Sequence, residues 1–361
     1  MKHLDQDDLR RLNVVAHLRG SKTARERLKK KIRRRLRAQG IEAPKKGART
    51  RRLRILHAPD CLDLEENVTR TLQFIQNIRR QALHLNHPVF CKMQDCESIA
   101  PEAALILTAE IERCSAGNPK SVNGNNPLKL APRCLLRDIG FHKHLAFQEP
   151  RIAGAADDPR RFVRVRSGSG GQPWILEQLQ EVVLGDAAKL PEERAVELLT
   201  GLHEAMLNVM DHAYRTDVYV PDPILSGKWW VAGYRDNVRK EISIMCYDQG
   251  AGIPVTLDRT MPEVVKDIFA EITGRSVDGD LIAAAMDYGR TGTTLPGRGN
   301  GLPKLKTMIE KSDGGKLNIY SRRGKYSFSR ETGATTSELA VEVPGTLIVW
   351  RLANSPVVEW S

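Results

Sequence analysis

Residues 241–248 read EISIMCYD, and the acid that ends this run is followed at once by QGAGIP. This junction constrains the chain more than any other stretch. The six residues ISIMCY at 242–247 read as a buried strand. An acid and two glycines at its end demand a tight, open turn there. WWVAGYRD at 229–236 reads as a second strand, joined to the first by NVRK, and Trp229 and Trp230 are expected to pack or to face a partner. FVRVR at 162–166 alternates as an edge strand does. KLNIYSRR, KYSFSRE and ELAVEVPGTLIVWRLA close the chain with further strands.

Ahead of this region a different rhythm runs from about Leu53 to Phe147. LRILHAP suggests a short strand, residues 64–83 a helix, HPVFCKMQD at 87–95 a strand and EAALILTAEIERC at 102–114 a helix. Alternation of this kind describes an α/β module. Gly, Pro and charge concentrate in QEPRIAGAADDPRR and RSGSGGQP, as in linkers. The expected organisation is a basic arm over 1–52, an α/β domain over 53–150, a linker with an edge strand over 151–173, and a second α/β domain over 174–361.

With 41% hydrophobic residues among 361, the chain has material for a sizeable core, and two domains suit its length. No run approaches the roughly 20 apolar residues of a membrane span. The opening MKHLDQDDLRRLN is too charged for a secretory signal, so a cytoplasmic protein is expected. The six cysteines show neither CxxC pairs nor zinc-finger spacing and read as reduced core thiols. The net charge of +12 is unevenly placed. Residues 1–56 carry 20 Lys and Arg against 5 Asp and Glu, leaving 36 basic and 39 acidic groups in the remainder. RERLKKKIRRRLR at 25–37 offers a partner surface for nucleic acid or another polyanion; a solvated basic helix has the same composition.

Three short motifs carry chemistry. Along EERAVELLTGLHEAMLNVMDHAYR, 100° per residue puts Leu198, Leu202, Ala205, Met206 and Val209 on one arc, with Glu204, Asn208, Asp211 and His212 opposite. Glu204 and Asn208, four apart, reach one site; a carboxylate can deprotonate water and an amide oxygen can ligate Mg²⁺. Asp248 at a strand end can accept from an exocyclic amine such as that of adenine, with Gly250 and Gly252 letting the backbone pass close to a flat ring. A plain strand-to-loop turn uses the same residue types. In GRGNGLPKLKTMIEK, Gly297, Gly299 and Gly301 lead into a helix whose N-terminus favours phosphate.

In order, HEAMLN, DQGAGIP, GRGNGL and GTLIVWRL resemble the four blocks of the GHKL (Bergerat-fold) ATPases. EAMLNVMDHAY is most similar to the anti-sigma-factor serine kinases of that superfamily. The resemblance covers about residues 192–352. It implies a two-layer α/β sandwich of the Bergerat type, with ATP and Mg²⁺ as cofactors. Glu204 would orient or deprotonate water, and Asn208 would hold the metal. Asp248 would read adenine, Gly250 and Gly252 would lie under the ring, and Thr346 would stand beside it. Gly297, Gly299 and Gly301 would approach the phosphates, with His212, Arg290 and Arg298 as further phosphate contacts and 255–296 as a lid. The module at 53–150 resembles STAS-like domains, with Ala100, Pro101 and Glu102 standing where phosphorylatable members carry a serine; an interaction role is implied. The expected function is an ATP-dependent regulatory switch with slow hydrolysis or phosphotransfer and a protein partner. A nucleic-acid-associated ATPase using the arm and a nucleotide-binding pseudo-enzyme are the alternatives, and a second copy of the chain is a further candidate partner.

Overall fold

The computed structural model describes residues 52–119, 121–144, 149, 160–169, 227–236, 238–260, 277–288, 301–311 and 314–353, together with single positions between Thr200 and Tyr214. The chain divides into two compact units, 1–51 and 52–361. The second is an α/β structure.

Its first third alternates strand and helix. The strands are β1 (Arg54–His57), β2 (Cys61–Leu62), β3 (Val89–Lys92), β4 (Ser98–Ile99) and β5 (Val122–Gly124), and the helices are α1 (Val68–Arg79), α2 (Pro101–Gly117) and α3 (Leu130–Asp138). β1, β3 and β5 form a parallel sheet in that order, while β2 pairs with β4. Pro101 takes the first position of α2, and Ala100 before it is extended, as the residue preceding a proline must be. α1 runs on into one turn of π-helix, Arg80–His84. The three-residue β5 and the nine-residue α3, which carries Pro132 in its first turn, were not among the expected elements.

The rest is built on a five-stranded antiparallel sheet in the order β6 (Arg160–Ser169), β7 (Lys228–Asp236), β8 (Glu241–Asp248), β10 (Gly333–Ala353), β9 (Gly315–Ser329). β6 is an edge strand, as its alternation predicts. KLNIYSRR and KYSFSRE join into the single strand β9, which pairs with β10 through two register shifts. A 3-10 turn spans Phe141–His144, and helices α4 (Ile253–Thr260), α5 (Asp278–Tyr288) and α6 (Gly301–Glu310) follow.

The two parts share one core. α2 is buried continuously from Pro101 to Ile111, the pattern of a helix with protein on every side. Its carboxylates bond side chains that stand on one face of the five-stranded sheet. Glu102 meets Arg351 on β10, and Glu112 meets Trp230 and Lys228 on β7. Side chains alternate along a strand, so Asp248, Thr346 and Trp229, which are register partners across β8, β10 and β7, project to the opposite face. β8 is therefore covered on both faces, and seven of its eight residues are buried. That explains why ISIMCY is continuous rather than alternating.

Candidate nucleotide site

The site is assembled where β8 ends. Asp248 is 4% exposed, and its Oδ1 accepts the Gly250 N–H at 2.8 Å. Burial pushes its carboxyl up to about 7, against the opposing pull of the Gly250 and Thr346 backbone N–H groups. An aspartate kept half-protonated near neutrality at the end of a buried strand is poised to receive a donor that restores its charge.

Thr346 is the register partner of Asp248, and a buried hydroxyl fixes its state. Ser321 Oγ lies 2.9 Å from the Gly345 carbonyl, the Ile253 N–H and Thr346 Oγ1. A hydroxyl has one hydrogen and two lone pairs. Ser321 donates to Gly345, so it accepts from Ile253 and from the Thr346 hydroxyl. Thr346 Oγ1 then retains acceptor capacity only. Two acceptors stand side by side at the sheet end, which is the polarity an exocyclic amine requires.

The glycines serve the chain's own packing as well as any ligand. A Cβ on Gly250 would lie 2.2 Å from the Ala213 carbonyl oxygen, and the Ala251 N–H donates to that same oxygen at 2.7 Å. The turn after β8 is thus pinned against Ala213. Gly252 adopts φ +87°, and a Cβ there would crowd Ser321 and Arg322. Gly345, with φ +77°, would press a Cβ to 2.2 Å from the Asp248 carbonyl oxygen. Sequence reasoning passed over Gly345, although its place directly before Thr346 was the available signal.

Two further residues absent from the sequence-based set hold the turn. The Gln249 N–H donates to Tyr214 Oη, which donates to the Lys228 carbonyl at 2.5 Å; burial, first of all, raises the Tyr214 phenol. The Gln249 side chain turns to the other face and donates from Nε2 to Glu110 Oε2 at 3.3 Å. Glu110 is in turn bound by the Arg79 guanidinium.

Asp248, Gly250, Gly252 and Thr346 are brought together. Ala205, Met206 and Val209 are buried, as their arc predicts, and His203 is exposed. Glu204, Asn208, His212, Gly297 and Gly299 lie outside the described residues, as do Arg290 and Arg298. Gly301 opens α6, whose Leu305 reaches the space beside Gly201, three residues before Glu204. Within the span assigned to a lid, α5 is tied down: its Gly279 N–H donates to Glu338 and Asp278 accepts from the Arg323 N–H. Where STAS-like domains carry a serine, Glu102 is 2% exposed. Burial raises its carboxyl, and Arg351 opposes that rise.

Among the described residues no group of three His, Cys, Asp or Glu is placed to hold a metal, and no described helix is long and apolar enough to cross a membrane. Asp248 and Thr346 together offer acceptors of the kind an exocyclic amine fits; of the residues expected at metal and phosphate, only Gly301 is among those described. No protein-family model and no curated protein matches the chain.

Proposed function

We propose that the chain is an ATP- and Mg²⁺-binding regulatory protein of the GHKL type, a nucleotide-dependent switch with slow hydrolysis or protein phosphotransfer. In this reading residues 174–361 are a Bergerat sandwich, and the α/β module before it is a STAS-like interaction domain. The observation that carries the reading is Asp248: a buried carboxylate, pushed up to about 7, next to a threonine hydroxyl committed as an acceptor.

Bound ATP would supply the transferable phosphoryl group, with Mg²⁺ held by Asn208. Asp248 and Thr346 bind and orient the base. Glu204 orients water or a hydroxyl for attack. Gly299 and Gly301 would present backbone N–H groups to phosphate oxygens.

Titration of the full chain with ATP and Mg²⁺ tests this. Asp248→Asn keeps an acceptor oxygen but adds a donor NH₂ facing the amine, and is expected to weaken binding about a hundredfold, in line with the loss of a buried charged hydrogen bond. Unchanged affinity sinks the assignment. Phosphate release from wild type and Glu204→Ala then separates turnover from binding alone.

A further inference from the structure

A second concave site lies away from Asp248, on the outer side of α1. This cavity of about 580 Å³ is lined by Gln73, Asn77, Arg79, Arg80, His84 and Glu342. Residues 73, 77, 80 and 84 recur at helical spacing and form one polar stripe. The stripe runs over the π turn, whose widened bond is Leu85 N–H to the Arg80 carbonyl at 2.9 Å. Single π turns of this kind often mark functional sites.

The charges are not balanced within the cavity. Glu342 is neutralised by Arg322 at 3.2 Å, and Arg79 is engaged by Glu110. Among the described residues no carboxylate pairs with the exposed Arg80. One guanidinium is therefore left to face an anion, with the amides of Gln73 and Asn77 beside it. Amides donate and accept, so they suit hydroxyl groups on the same ligand. The volume is that of a small-molecule site.

Two structural routes lead from this cavity to the end of β8. Arg79 holds Glu110, which holds the Gln249 side chain next to Asp248. On the other side, Gln76 Nε2 donates to the Glu342 carbonyl at 3.1 Å, and β10 shifts register between Val343 and Thr346. An irregular strand segment can adjust where a regular ladder resists.

We infer that the cavity over α1 is an effector site for a small anion on a hydroxyl-rich frame, a phosphorylated polyol by preference, whose capture by Arg80, Gln73 and Asn77 alters the Asp248 end of the sheet. The site itself stands without the nucleotide reading; only its effect on nucleotide binding rests on that proposal.

Calorimetric titration of the full chain with glucose 6-phosphate, gluconate and inorganic phosphate tests it. Glucose 6-phosphate is expected to bind more tightly than inorganic phosphate, with gluconate reporting whether a carboxylate serves. Arg80→Ala and Gln73→Ala, both exposed, are expected to weaken binding about tenfold each without changing the melting temperature of the unliganded protein. Silence from all three compounds up to about 10 mM, or binding that ignores Arg80→Ala, overturns the site. With glucose 6-phosphate saturating, ATP affinity is expected to shift about threefold or more, within the usual range of coupling between sites. Binding that leaves ATP affinity unmoved overturns the coupling, whereas a chain that binds glucose 6-phosphate but no ATP overturns the nucleotide reading alone.

Discussion

Three glycines separate backbone strain from steric collision, and they allow the Asp248 turn to be tested quantitatively. Gly333 has φ +69° and open space where a Cβ would stand, so Gly333→Ala incurs the left-handed strain alone, about 1–2 kcal/mol. Gly250 is outside the positive-φ region, but its Cβ would meet the Ala213 carbonyl oxygen at 2.2 Å and Ala213 C at 2.6 Å. Those are backbone atoms, which cannot rotate away, so Gly250→Ala incurs an overpacking cost of about 1–3 kcal/mol, toward the upper end. Gly345 combines both: φ +77°, with the Asp248 carbonyl oxygen at 2.2 Å. Its alanine variant is expected to lose about 3–5 kcal/mol, the sum of the two effects. Thermal and urea unfolding of the full chain would read the series, at roughly 2 °C per kcal/mol for a unit of this size. The order expected is Gly333 mildest, Gly250 intermediate, Gly345 most severe. ATP binding should fall for Gly250→Ala and Gly345→Ala and stay unchanged for Gly333→Ala. Equal losses at Gly333 and Gly345 would refute the reasoning, since the contact with Asp248 would then cost nothing.

Two other outcomes follow from the buried charges. Asp248 has a folded pKa of about 7 against about 3.9 unfolded, so its contribution is fully present below pH 4 and is lost as pH rises through 7, by up to about 4 kcal/mol across the window. Asp248→Asn should therefore stabilise the nucleotide-free protein at pH 8 and flatten its stability profile between pH 4 and 7, measured by urea midpoints; a destabilised variant at pH 8 contradicts this. Glu110 is fully buried and its guanidinium partner is Arg79, so Arg79→Met should cost about 3–5 kcal/mol by stranding the carboxylate. The Arg79→Met, Glu110→Met double variant should recover most of that loss in a double-mutant cycle, and a double variant whose loss equals the sum of the two single losses would show that the pair is not coupled.

Much of the strand pattern was legible because it depends on local composition. EISIMCYD and WWVAGYRD match β8 and β7, and α2 matches its apolar run. Asp248 and Thr346 were singled out from motifs about a hundred residues apart and prove to be register partners. Residues that act through distant partners were not legible. Ser321 looks like any strand serine until the Gly345 carbonyl, the Ile253 N–H and the Thr346 hydroxyl converge on it. That a Cβ on Gly250 would meet Ala213 was not legible either, because the approach of Ala213 depends on tertiary packing. The uninterrupted burial of Pro101–Ile111 shows a helix enclosed on all sides, which its sequence, with acids at 102 and 110, did not announce.

The acids of α2 explain how that helix is held. Glu102, Glu110 and Glu112 stand among the apolar residues of α2, and each meets a different part of the sheet: Arg351 on β10, Gln249 after β8, and Lys228 with Trp230 on β7. Burying charges yields little net stability compared with apolar packing of the same volume, so the driving force for the interface must come from the core it shares. What the acids add is register. Sliding α2 by one turn would strand three carboxylates at once, each costly when unpaired, whereas apolar contacts alone would tolerate the shift with partial repacking. The link through Glu110 differs from the other two because it engages Gln249, the residue whose backbone N–H is clamped by Tyr214 and which directly follows Asp248. A displacement of α1 or α2 that moves Glu110 therefore acts on the turn beside Asp248, while displacements borne by Glu102 or Glu112 act on β10 and β7, the strands that flank β8 on either side.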